Sequence, residues 1–386
     1  MKIDAKALDA LLEKMVPGLP GVAACVTLDD QIVYEGAAGA RVQGDPAPMR
    51  VDTVIWLASM TKAVTAAAVM QLVEQGRLSL DEPAARWLPE LVDVQVLEGF
   101  DESGEPVLRP PAAPVTLRQL LTHTSGFGYE FLDSNLMRYQ QVRGVEGVLL
   151  GKRSSMRMPL IADPGASWQY GIGIDFAGLA LEAASGMRLG QYLREHLLGP
   201  LGMDDTAFRI GDAQRERLAR VHHRMPDGSL AVMDFEIEQA PEFEAGGGGL
   251  YGTVRDYTRF TRMILGGGEL DGVRVLRPET IEQMSRSHIG ETTVGKLVSV
   301  MPEYSEDAEF MPGIPKGWGL SFLINRERSN EGRSPGSLAW AGLANSYYWI
   351  DPSRRLTAVF ATQVLPFFDA QAIQGFRAFE TAVHRD

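Results

Sequence analysis

Ser59 and Lys62 stand three residues apart in Trp56-Leu57-Ala58-Ser59-Met60-Thr61-Lys62, at the head of an alanine-rich stretch. Helical residues at that spacing share one face, which puts an amine within reach of a hydroxyl. A serine hydroxyl is a weak nucleophile near neutral pH and needs a base to take its proton as it attacks an acyl carbon. Lysine does this only if it is neutral for part of the time. Burial in an apolar helix disfavours the ammonium, and the positive end of the helix dipole acts in the same direction. That helix end also favours negative charge growing on Ser59. The same four residues equally describe a serine cap followed by a solvated lysine, so the pair gains weight only from its setting.

Two further runs supply that setting: Leu120-Leu121-Thr122-His123-Thr124-Ser125-Gly126, and Pro164-Gly165 followed by Trp168 and Tyr170. In this order and spacing the chain resembles the serine β-lactamase and penicillin-binding protein superfamily. More closely, it resembles the family VIII carboxylesterases, which are similar to class C β-lactamases. The resemblance runs from about Gly21 to Gln363. It implies a Ser59 acyl-enzyme, Lys62 as its base, and Tyr170 as the phenol that relays the proton to the leaving alcohol and helps activate water. It also implies an oxyanion hole from the backbone N–H groups of Ser59 and Leu343, worth about 3 kcal/mol per donor in related chemistry.

The chain departs from the lactamase pattern in two places. Where a strand should border the site with Lys-Thr-Gly, Trp340-Ala341-Gly342 stands, as is typical of the esterase branch. A lysine there would hold the carboxylate of a β-lactam or peptide; tryptophan offers an apolar wall, and Gly342 lets an acyl group approach the strand edge. The second motif reaches Ile172 where asparagine is usual, losing an amide that could bond an amide substrate. Both changes point to neutral esters with short to medium acyl chains. Preference for β-lactams or D-amino-acid peptides, transfer to a specific alcohol or amine, and a sensor that acylates and stalls remain as alternatives.

These residues need elements to hold them. Gly21–Leu28 and Gln31–Gly36 around Asp29-Asp30 predict an antiparallel hairpin, and the Ser59 helix, apolar nearly all round, predicts a buried central helix ending at Gly76. Helical patterns dominate from Val142 to about Leu201, after an irregular excursion from Pro83 to Pro114. Strands return at Gly319–Arg326, Leu338–Leu343, Ser346–Ile350 and Leu356–Gln363, before a last helix from about Ala370 to Val383. The expected fold is α/β of the α+β kind: an antiparallel sheet flanked by helices from residues 1–75 and 246–386, with a mainly helical lobe from 76–245 inserted, and the site between them.

Composition excludes other classes. At 386 residues with 45% hydrophobic and 23% charged, the chain reads as an ordinary globule; its net charge of −13 opposes nucleic acid and anionic membranes as partners. The single cysteine, Cys25, forbids an internal disulfide and reads as a packed strand residue. The first seventeen residues form an amphipathic helix without the apolar run of a signal peptide, which implies a cytoplasmic protein. No metal or organic cofactor is implied: His222-His223 lacks a third ligand at zinc-like spacing and reads as a polar loop. Gly246–Gly249 is not followed by Gly-Lys-Ser/Thr and reads as a hinge or a tight contact. His123 reads as a structural histidine and Asp204-Asp205 as a turn. No G-x-S-x-G occurs. The expected partner is a small ester, the expected state a monomer or homodimer.

Overall fold

Asp29 and Asp30 both adopt left-handed backbone (φ 49° and 66°), the conformation a two-residue type I′ hairpin turn demands. They join β1 (Gly21–Leu28) to β2 (Gln31–Gly39) in the computed structural model, which describes residues 3–385. The last third of the chain adds β3 (Lys316–Trp318), β4 (Leu323–Asn325), β5 (Leu338–Gly342), β6 (Ser346–Asp351) and β7 (Leu356–Ala361). The seven strands form one sheet in the order β3-β4-β5-β6-β7-β1-β2, every pair antiparallel. The two ends of the chain therefore meet side by side, with Ala23 opposite Ala361 and Leu28 opposite Leu356.

Helices cover both faces. On β7, Thr357 accepts a hydrogen bond from Thr261 of α4 (Val254–Leu265). Phe360, on the other face of the same strand, lies 5.6 Å from Phe379 of α5 (Ala370–His384). α1 (Ala5–Met15) packs beside α5 through Leu8 and Leu12; Met1 and Lys2 of the expected N-terminal helix lie outside the described residues. Cys25 is fully buried toward α4, and burial pushes its thiol up to about 12, so it is an inert core residue. No helix among the described residues is long and apolar enough to cross a membrane.

α2 (Thr61–Glu74) runs through the middle with twelve of its fourteen residues buried, and Gly76 (φ 69°) follows its C-cap. It packs against α3 (Gly173–Ser185), which closes at Gly186 (φ 72°). Several local expectations need correction. Between Arg143 and Gly173 the chain makes turns rather than helix. The excursion at 83–114 contains a hairpin, Val96–Phe100 with Pro106–Arg109. The expected strand Gly319–Arg326 is interrupted, because Ser321 at φ 75° reverses the chain between β3 and β4. His222-His223 is not a loop: His222–Arg224 is a short strand between Val364–Leu365 and Leu230–Val232. His222 is buried there, its Nε2 accepting from Gln43 N at 3.0 Å. We propose the division 1–75 with 246–386 against 76–245 as the two lobes, the His222 hairpin being tied to the sheet side.

Candidate active site

Ser59 lies in a single 3-10 turn, Ala58–Met60, that leads into α2, not in the α-helix itself. Ala58, the residue before it, holds the left-handed conformation (φ 46°), which costs a non-glycine residue energy and persists only where neighbours enforce it. The enforcement is visible. Leu57 N donates to Leu250 O at 2.9 Å, and Trp56 Nε1 donates to Gly248 O at 2.7 Å. From the other side, a Cβ on Gly342 would collide with Leu57 O. Glycine at that position thus lets β5 press against the nucleophile turn; the expected role, room for an acyl group, is replaced by this one.

One turn on, Lys62 is completely buried, and its Nζ has three hydrogen-bonding partners: Ser59 Oγ at 3.0 Å, Tyr129 OH at 3.0 Å and Gly247 O at 2.6 Å. It also sits 4.8 Å from the centre of the Tyr170 ring. An amine so placed can take the Ser59 proton, and two oxygens and a π-face then hold the ammonium that results. Gly246–Gly249 is what fixes this geometry. Its successive carbonyls accept from Thr65 Oγ1 (2.8 Å), Lys62 Nζ and Trp56 Nε1, clamping both flanks of the serine. The run is a tight contact, not a hinge.

Beneath it lies Asp175 in the first turn of α3, 1% exposed, whose Oδ1 accepts from Gly247 N at 2.9 Å. Its Oδ2 is buried without a hydrogen-bond partner among the described residues. Burial raises the Asp175 pKa, against which the nearby Lys62 charge and the Gly247 N–H act. A carboxylate there orients the peptide whose carbonyl holds Lys62 and places negative charge near the amine. Only glycine fits at 247: an added Cβ would run into Oδ2 and stand 3.0 Å from Cγ.

The two tyrosines divide the work differently from expectation. The phenol bonded to Lys62 is that of Tyr129, which the sequence motifs do not include. Burial, then the charges of Asp175, Tyr170 and Glu130, push its pKa well above normal, so it stays protonated. Tyr170 presents its ring to Lys62 while its hydroxyl accepts from Trp340 Nε1 at 3.0 Å. Trp340 is 3% exposed and wedged against Trp318 and Phe310 at 4.6 and 5.1 Å between centroids. It therefore positions Tyr170 instead of forming a substrate wall. His123, buried 4.7 Å from the Tyr170 ring, accepts through Nδ1 from Gly171 N. Burial and the Lys62 charge hold it neutral, as a structural role requires. Asp204-Asp205 is engaged in structure: Asp205 pairs with Arg217.

Ser59 opens into a cavity of about 470 Å³ whose wall includes Tyr129, Phe131, Val148, Leu149, Phe235 and Leu343. Leu343, just past β5, reaches the same cavity as the serine, as an oxyanion donor must. Ile172, Trp340, Ala341 and Gly342 are not among the lining residues. Ile172 instead precedes α3 as its N-cap, buried, so its expected contact with substrate is replaced by a structural one. The signal for Tyr129 was its position three residues after Gly126 in the second run; Asp175 carried none, since a buried aspartate at a helix start looks like a cap.

Comparison with known proteins places the chain in a family. The family described as Beta-lactamase matches residues 8–381. Monacolin J acid methylbutanoyltransferase of Aspergillus terreus is 33% identical over 87% of this chain and 83% of its own length. Lovastatin esterase of Penicillium rubens is 32% identical over 90% and 89%. Among solved structures, unliganded simvastatin synthase (LovD) of A. terreus has a TM-score of 0.86 at 30% identity, covering 98% of this chain and 97% of that one. EstCE1, a hydrolase with promiscuous acyltransferase activity, at 21% identity and TM-score 0.77 over 99% and 98%, shares the fold. With that match spanning the helix, the sheet and every residue around Lys62, the chain belongs to the β-lactamase family, among the serine hydrolases and acyltransferases of the β-lactamase and penicillin-binding protein superfamily.

Proposed function

We propose that the chain is a serine carboxylesterase of the family VIII kind, acting on carboxylic esters with short to medium acyl chains through a Ser59 acyl-enzyme. The observation that carries this reading is a buried amine 3.0 Å from a serine hydroxyl that opens into an apolar cavity. Lys62 takes the Ser59 proton as Oγ attacks the ester carbonyl, and the N–H groups of Ser59 and Leu343 receive the oxyanion. The tetrahedral adduct collapses, the ester C–O bond breaks, and the proton passes from Lys62 to the departing alcohol, by way of Tyr129 or Tyr170. Water then repeats the sequence in reverse, its proton going to Lys62 and on to Ser59. An alcohol in place of water gives transfer instead of hydrolysis, and the names of the methylbutanoyltransferase relatives favour that second reading.

The cavity supports esters over β-lactams because no lysine, arginine or histidine among the described residues lines it to receive a carboxylate. A p-nitrophenyl butyrate assay beside a chromogenic cephalosporin, each with and without an added alcohol, tests the proposal. Ester turnover should exceed cephalosporin turnover by orders of magnitude. Faster cephalosporin hydrolysis, or no ester turnover, would overturn it; product ester forming faster than free acid would make transfer the main reaction.

A further inference from the structure

Among the described residues lining the Ser59 cavity, Glu130 is the one acidic or basic side chain. It begins a 3-10 turn, Glu130–Leu132, directly after the tyrosine that holds Lys62. No lysine, arginine or histidine of the described residues pairs with it. Its Oε1 lies across from Gly147, another lining residue, 3.5 Å from where a Cβ of Gly147 would stand. A carboxylate in an apolar chamber is costly unless something balances it, and here no protein group does. The surrounding wall is aromatic: Trp56 and Phe235 lie 4.7 Å apart between ring centres, Tyr129 and Phe131 5.1 Å, and Tyr304 closes the rim. Aromatic faces around a lone carboxylate favour an organic cation, which gains from the ring quadrupoles and from the charge together.

Building on the ester reading, we propose that this cavity receives a substrate carrying an ammonium group, with Glu130 as the residue that selects it. Lys62 does not cancel the attraction: it is wholly buried and committed to Ser59, Tyr129 and Gly247, with the Asp175 carboxyl behind it. The chain's net charge of −13 draws cations and repels carboxylates from a distance in the same sense.

Butyrylcholine and 3,3-dimethylbutyl butyrate have the same shape and differ only in charge, so the ratio of their kcat/KM values isolates the effect. Wild-type protein should favour the choline ester by about tenfold. Glu130→Gln should bring the ratio near one, and Glu130→Lys should invert it. Because a ratio within one protein is read, partial loss of fold in a variant cancels; should a variant fail to fold, the wild-type ratio alone decides. A wild-type ratio at or below one, or a ratio unmoved by Glu130→Gln, would overturn the proposal. If neither ester is turned over the hydrolase reading fails, and calorimetric titration of Ser59→Ala protein with choline against 3,3-dimethylbutan-1-ol then settles this inference separately. Tighter binding of choline, lost in the Glu130→Gln double variant, supports it; equal binding refutes it.

Discussion

The floor and the wall of the Ser59 cavity are built in opposite ways. On the floor, Trp56, Lys62 and Thr65, on either side of Ser59, are held by three consecutive backbone carbonyls of the Gly246–Gly249 run, with the peptide of Gly247 itself held by Asp175. Each constraint comes from main chain in the interior, where a shift would leave a buried polar group unpaired. The wall is contributed by the helix Ser134–Arg143 and its flanking turns, by residues 301–304 and by single side chains such as Leu149 and Tyr304, half-buried or exposed. Catalytic geometry tolerates errors of a fraction of an ångström, whereas substrate preference is a matter of which surface is offered. A fold that fixes the first in its core and leaves the second on its rim can change substrates without disturbing the chemistry.

That contrast can be broken from the floor upward. Lys62→Ala removes the base and should lower kcat by about a thousandfold or more with the fold intact by circular dichroism. Gly247→Ala drives a methyl group into Asp175; about 2–3 kcal/mol of stability should be lost, and kcat should fall by about a hundredfold as the Gly247 carbonyl moves away from Lys62. Steady-state kinetics and urea unfolding read both. A Gly247→Ala protein with wild-type kcat would show that the carbonyl clamp is incidental. Trp340→Phe keeps an aromatic ring, though a smaller one, and deletes the N–H that holds Tyr170; kcat should drop about tenfold, with little change in the preference among acyl chains. At the wall, Leu149→Ala should instead alter the relative kcat/KM of butyrate and octanoate esters by a few-fold.

The last prediction lies outside both regions. Burial raises the Asp256 pKa to about 6, while its Oδ2 accepts from Asp205 N and Thr206 Oγ1. The native state then keeps a proton that the unfolded chain has released, so this group's contribution to stability is present below about pH 4 and lost as pH rises through about 6. Asp256→Asn should remove that decline, worth at most about 3 kcal/mol, without a change in kcat. His384, lowered to about 4 by burial, acts oppositely over nearly the same interval. The wild-type curve is therefore flatter than either group alone would make it, and melting temperatures between pH 4 and 7 for the two proteins separate them.

How far these features were legible follows from how local each one is. The hairpin at Asp29-Asp30, the end of α2 at Gly76 and the strands around Trp340 are set by residues within a few positions of one another, and they form where the pattern placed them. The stretch from 145 to 172 misled because apolar residues at helical spacing there serve turns that cover the site. Ser59 and Lys62 are brought together by one helical turn, so their spacing declared them. The Tyr129 bond to Lys62 and the Asp175 bond to Gly247 span 67 and 72 positions. Nothing in a local pattern distinguishes those partners from a loop aromatic or a helix cap. For Trp340 the role depended on which way the indole faced, and it faces Tyr170.

The account rests on Ser59 becoming acylated, and mass spectrometry tests that most directly. After rapid mixing with p-nitrophenyl butyrate and acid quenching, the intact protein should gain the mass of one butyryl group, located by proteolysis to the peptide containing Ser59 and absent in Ser59→Ala. An ester hydrolysed with full activity by Ser59→Ala, or a butyryl group found on another residue in a competent enzyme, would contradict it.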